Sequence, residues 1–146
     1  MATITTIIES LIEYFEACPS IAQLNASIKV DFLQEKGKSF SIEPIATNPI
    51  VSNYIGGGGE RQYAFSLAVK FNYSDEARMN IENSGFFEGL EEWLETQNRQ
   101  GLLPTLPNGK YAERIEVTSN GYLFGVTQDM KYGRYEIQCR LLYEVD

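Results

Sequence analysis

Glu88, Glu91, Glu92 and Glu95 form the densest grouping of reactive side chains in this sequence. At 100° per residue they fall within about 100° of arc on a helix. Clustered carboxylates bind hard cations or act as general acids and bases. The ligand spacing of an EF-hand loop is absent, however, and no histidine or aspartate stands among them. A solvated helix face is the plainest account. Electrostatic contact with a basic partner comes second, and metal binding or catalysis third. The contact reading has a physical motive: like charges three or four residues apart cost a helix roughly 0.2–0.5 kcal/mol per pair. Basic groups from elsewhere would relieve that cost.

Other chemistry is limited by composition. The 146 residues contain no histidine, so Ser-His-Asp and Cys-His machinery is excluded. Zinc sites that need an imidazole are excluded too, and Cys18 and Cys139 are too few for a site made of cysteines alone. The two thiols read as reduced and buried in an intracellular protein, and the start of the chain does not read as a secretory signal. Twelve basic and twenty acidic residues give a net charge of −8, which disfavours nucleic acid and acidic membranes. The glycine run Gly56–Gly59 suggests a phosphate loop, but Glu60-Arg61-Gln62 follows where Lys and Ser/Thr would be required. It reads as a flexible loop, from Asn48-Pro49 to the glycines, that a partner can order. No cofactor is expected.

These groups must be positioned by ordinary elements. Ile4, Ile7, Ile8, Leu11, Ile12 and Phe15 recur at helical steps, which predicts a helix over 4–18 that ends at Cys18-Pro19. Two short strands follow around 28–32 and 39–43, with a turn signal at Glu35–Lys38 between them. Residues 61–73 alternate strictly: Tyr63, Phe65, Leu67, Val69, Phe71 and Tyr73 share one face, and small or polar residues the other. Ser74 or Asp75 caps a short helical turn through Ile81, and Asn83-Ser84 starts a second helix over 85–99. Phe86, Phe87, Leu90, Trp93 and Leu94 line its apolar side, and Gly101 caps its end. The last third reads as a three-stranded meander, with Asn120-Gly121 as a tight hairpin turn.

The order of elements predicts one domain spanning 1–146, of the α+β class: a mostly antiparallel sheet with two helices packed on one face. No internal repeat is visible. Residues 1–73 carry 5 basic and 7 acidic groups, and residues 74–146 carry 7 and 13, so most of the acidic excess lies in the second half.

Several segments together carry a family resemblance. They are Ile7-Ile8-Glu9-Ser10-Leu11, Ser41-Ile42-Glu43-Pro44 with Asn48-Pro49-Ile50, and Asn80-Ile81-Glu82-Asn83-Ser84-Gly85-Phe86-Phe87-Glu88. Gly101-Leu102-Leu103-Pro104-Thr105-Leu106-Pro107, Gly121-Tyr122-Leu123-Phe124 and Arg134–Leu141 complete the set. In this order the chain resembles the small minor capsid and tail-completion proteins of tailed phages and prophages of Gram-positive bacteria. It is similar in order of elements to tail terminators.

The resemblance implies a noncatalytic virion protein at the head–tail junction or tail end, made in the host cytoplasm. It also implies self-association into a ring, commonly a hexamer, and contact with head–tail or tail-tube proteins. It transfers no catalytic residues. Candidate contact residues are Tyr54 and Gly56, Gly57, Gly58 and Gly59 in the 48–60 loop, and Glu88, Glu91, Glu92 and Glu95 on the helix. The alternative is a small-molecule binding domain or carboxylate-dependent enzyme, which would need a deep pocket with convergent polar groups.

Overall fold

Two strands of fourteen residues, β4 (Gly59–Asn72) and β7 (Tyr132–Val145), form the centre of the sheet. The structure is a computed structural model and describes residues 6–22, 28–30, 39–72, 77–126 and 128–146. β4 and β7 pair antiparallel along their full length, from Gly59 opposite Val145 to Asn72 opposite Tyr132. β2 (Ser39–Pro44) and β3 (Ile50–Asn53) lie end to end on the other edge of β4, both antiparallel to it. β5 (Lys110–Val117) and β6 (Tyr122–Val126) lie end to end on the other edge of β7. β1 (Ile28–Val30) adds to β2 in parallel. The result is an α+β fold with a mostly antiparallel sheet.

The helices α1 (Ile7–Glu16), α2 (Pro19–Ala22) and α3 (Ala77–Gln100) complete it. Alternation along the long strands decides which sheet face they cover. Phe40, Ile42, Phe65, Leu67, Val69, Ile137, Cys139, Leu141 and Ile115 are buried together with Leu11 and Phe15 of α1 and Phe87, Leu90 and Leu94 of α3. Phe15 meets the rings of Phe65 and Trp93, each at 6.0 Å, and Phe87 meets Tyr135 at 6.4 Å. The Tyr14 hydroxyl donates to the Leu102 carbonyl at 2.7 Å and ties α1 to the segment after α3. Cys18 and Cys139 are free and buried, as expected of core thiols.

Several expectations need correction. The predicted break at Asn83-Ser84 is absent, and α3 is continuous. Cap-forming side chains offer the backbone only a local alternative, whereas the buried Phe87, Leu90 and Leu94 hold the helix by tertiary packing. Its predicted end holds: Gly101 has φ +70°, and the Leu102 N–H bonds to the Gln97 carbonyl at 2.9 Å. The 48–60 segment is not an open loop. Residues 50–53 form β3, and a tight turn returns the chain to β4.

The meander also fails, because β6 does not lie between β5 and β7. Asn120-Gly121 makes no hairpin, since neither residue has positive φ. Residues 118–121 are instead an irregularity in one long strand, with both Thr118 and Ser119 donating to the Gln138 carbonyl. Gly121 serves close approach: a Cβ there would stand 2.5 Å from Cγ of Phe87. β1 and β2 are parallel rather than antiparallel neighbours. The turn signal at Glu35–Lys38 and the caps at Ser74 and Asp75 lie outside the described residues.

The arrangement contains a repeat that the sequence does not display. Apart from α2 and β1, which only the first half has, each half runs helix, interrupted outer strand, turn, long inner strand. In each, the second piece of the outer strand pairs with the start of the long strand. The two hairpins therefore point in opposite directions, and their turns lie at opposite ends of the sheet.

Gly121→Ala should destabilise the protein by about 1–3 kcal/mol through overpacking against Phe87. In Phe87→Ala, itself costly, the added penalty of Gly121→Ala should shrink, because the clashing ring is gone. Urea unfolding of the four proteins in this cycle checks it, and additive losses would refute the contact.

Candidate functional site

Tyr54 and Gly56–Gly59 belong to the tight turn between β3 and β4. The Gly57 N–H donates to the Tyr54 carbonyl, and the Tyr54 N–H to the Gly58 carbonyl, both at 3.1 Å. Gly57 and Gly58 have φ of +101° and +74°, which favours glycine. A Cβ on Gly58 would meet the Val145 carbonyl oxygen, and one on Gly59 the Ser52 carbonyl oxygen. Gly57, Gly58 and Gly59 thus serve turn geometry and strand contact, and Gly56 stands in open space. The Tyr54 hydroxyl donates to Glu144 at 3.2 Å.

Glu88, Glu91, Glu92 and Glu95 lie elsewhere, on α3, whose Asn98 reaches the β5 edge. Glu88, Glu92 and Glu95 are exposed and Glu91 is half-buried. Burial first, and then Glu88 and Glu95, raise the Glu91 carboxyl above its ordinary range. Glu91 and Glu95 line an open groove of about 680 Å³ between α3 and β5, together with Leu94, Asn98, Ile115 and residues 116–120. The Asn98 amide is already committed, since it donates to the Ile115 carbonyl at 2.9 Å and accepts its N–H at 3.1 Å. Among the described residues no group of three or more acidic or cysteine side chains is arranged to hold a metal ion.

The sequence reading missed two features. The first is a polar network on the sheet face away from the helices. Arg134 bonds both oxygens of Glu43, at 2.7 and 2.6 Å, and reaches Glu136 at 3.3 Å. The hydroxyls of Ser41 and Ser66 donate to Glu43 and Glu136. These long side chains stand beside the small residues of β4 and cover them: Ala68 is fully buried, in register with Ser41 and Glu136. On the same face Glu116 accepts from Arg114 and Arg140, both at 2.7 Å, and Arg114 first holds its carboxyl below the ordinary range.

The second is a pair of apolar corners. Ile50, Val51, Tyr54 and Ile55 are exposed on β3 and its turn, Ile55 completely. Tyr122, Leu123, Phe124 and Met130 are exposed on β6 and its turn, Phe124 at 64%. Only Leu102 and Tyr111 are comparably exposed large apolar residues elsewhere among the described residues. β3 aligns with the start of β4 and β6 with the start of β7, so the corners are diagonal. The offset is about ten residues along the strands, roughly 30 Å. The alternation of β6 into a bulge between Leu123 and Gly125 turns Phe124 toward the network face, where its ring lies 5.3 Å from the Arg134 guanidinium carbon. The tyrosines are divided: Tyr135 and Tyr143 are buried with the core, and Tyr111 and Tyr122 are exposed.

Comparison with known proteins returns no match: no family model fits the chain, and no curated protein is similar to it. The local geometry therefore carries the functional argument.

An acidic group adjoins the β3 corner. Glu60 and Glu144 are cross-strand partners, and Glu113 stands close to both. Burial first, then Glu60 and Glu144, raise the Glu113 carboxyl above 4.5, while Arg114 at 3.6 Å opposes the shift. The folded state thus holds this proton more tightly than the unfolded chain does. The associated stability is present below pH 4.5 and is lost as pH rises through the folded value. Glu113→Gln should raise the urea midpoint at pH 7 and leave it nearly unchanged at pH 4. An equal gain at both values would show that ionisation is not the cause.

Proposed function

We propose that this chain is a noncatalytic structural protein of a tailed phage or prophage, of the minor capsid or tail-completion kind. It acts at the head–tail junction or tail end through ring-forming contacts with copies of itself and contacts with neighbouring tail proteins. The observation that carries this reading is the pair of exposed apolar corners at opposite ends of the sheet. β3 reads Ile-Val-Ser-Asn and β6 reads Tyr-Leu-Phe-Gly-Val, and neither contains a charge. Among the described residues both are edges of the sheet. Soluble proteins ordinarily blunt exposed edges with charge, proline or cover, because open backbone groups template pairing. Two different patches on one subunit suit a head-to-tail contact, which forms a ring when its rotation closes. The phage assignment itself rests on the sequence resemblance. The acidic face of α3 fits the same reading as a surface for a basic partner.

Ile55→Asp and Phe124→Asp should each abolish multimers in light scattering while far-UV circular dichroism stays unchanged. Mixed together, they should form heterodimers and nothing larger, because each retains the patch that its partner lacks. Wild-type protein that stays monomeric at every concentration, with tail tubes present, would sink the ring. Reversing Glu88, Glu91, Glu92 and Glu95 to Lys should lower phage titre. An unchanged titre reduces that face to solvated surface.

A further inference from the structure

We infer that the subunit contact is strand addition: β6 of one copy pairs antiparallel with β3 of the next, so that the sheet continues between copies. This rests on the self-assembly reading above and names its geometry. The directions follow from the register. β3 is antiparallel to β4, β4 to β7, and β7 to β6, so β3 and β6 run in opposite senses. With the helix-covered faces on the same side, a neighbouring copy therefore presents an antiparallel edge. The strands are of similar length, four and five residues. Among the described residues each is bonded on one side only, and neither carries a charge that would oppose pairing. Continuing the sheet satisfies edge backbone groups and covers the exposed Val51, Ile55, Leu123 and Phe124 together.

The occupant is a second copy because the two uncharged edges match in sense and length, and because the β6 turn offers a lysine where the β3 corner gathers glutamates. Beside β3 stand Glu60, Glu144 and Glu113, with Glu113 against Glu60, and Arg61, which donates to the Ser52 carbonyl at 3.3 Å. The exposed turn after β6 carries one cation, Lys131, and one anion, Asp129, whose carboxylate folds back to accept the Lys131 backbone N–H at 3.0 Å. A lysine brought to the acidic corner relieves like-charge crowding that this subunit leaves only partly offset by Arg61 and Arg114.

Disulfide trapping tests the pairing. Cysteines are placed at Ile50, Val51 or Ser52 in one variant and at Tyr122, Leu123 or Phe124 in another, and the variants are mixed and oxidised. The native Cys18 and Cys139 are buried and do not compete. Facing Cα atoms on paired strands lie about 4.5–5.5 Å apart, within disulfide reach. Antiparallel addition predicts that if 51 links to 123, then 50 links to 124 and 52 to 122, and the reverse combinations do not. Multimers that never crosslink, or that link in parallel order, overturn strand addition and leave self-assembly standing. Absence of multimers from the wild type removes both. Lys131→Glu supplies a second measurement: it should weaken association about tenfold or more at low salt. Unchanged association overturns the charge part of the contact.

Discussion

The β4–β7 ladder is the constraint on which the rest of the molecule depends. It joins one helix–hairpin half to the other over fourteen residues of each strand. It also fixes the faces. Phe65 stands opposite Cys139 and Leu67 opposite Ile137 on the helix side, while Ser66 stands opposite Gln138 and Ala68 opposite Glu136 on the other. A slip of one residue in either strand would send its buried set to the polar side. Helix docking, core formation and the Glu43–Arg134–Glu136 network therefore all require the same register.

That register also places the corners. Each long strand has a partner across its whole inner edge, but its outer edge is shared by two shorter pieces. The pieces beside the turns, β3 and β6, end up diagonally opposed. Most of their large side chains are exposed, although Phe124 lies over Arg134 of β7 and the Tyr122 hydroxyl accepts from Gln138. The acidic group at Glu60, Glu113 and Glu144 follows from the same geometry, because the start of β4 meets the end of β7 and the bulged start of β5 there.

Much of this was legible in the sequence where one face is buried. Strict alternation over 61–73 and the apolar stripe from Phe86 to Leu94 each signal an element with one face on the core, and β4 and α3 supply them, although Ser66, Ala68 and Lys70 on the other face of β4 are buried too. The α+β class followed from their order. What was not legible is where strands pause without turning. Asn120-Gly121 has the local chemistry of a tight hairpin, yet Gly121 is there because the Phe87 ring occupies the space a side chain would need. Asn48-Pro49 likewise interrupts an outer strand rather than opening a long loop: the Pro49 carbonyl accepts from Gln62, and β3 begins at the next residue. Turn residues announce a departure from regular backbone, and only tertiary contacts decide whether the chain reverses or resumes. The apolar corners were missed for a related reason. Tyr122, Leu123 and Phe124 have the composition of a core strand, and their exposure depends on which strands lie beside them.

The repeat of helix and hairpin bears on how such a subunit associates. Were the halves identical, the two corners would be equivalent, and a subunit would present the same edge twice. The sequence breaks this equivalence at the points of contact. One corner is Ile-Val-Ser-Asn beside a group of glutamates, and the other is Tyr-Leu-Phe-Gly-Val beside Lys131. Pairing the β3 corner with its own kind would bring its glutamates together, at a cost in repulsion. Pairing it with the other kind brings Lys131 to those glutamates instead. Similar backbone geometry with different side chains thus favours a directional contact over a two-fold one, and a directional contact is what a closed ring of more than two subunits requires.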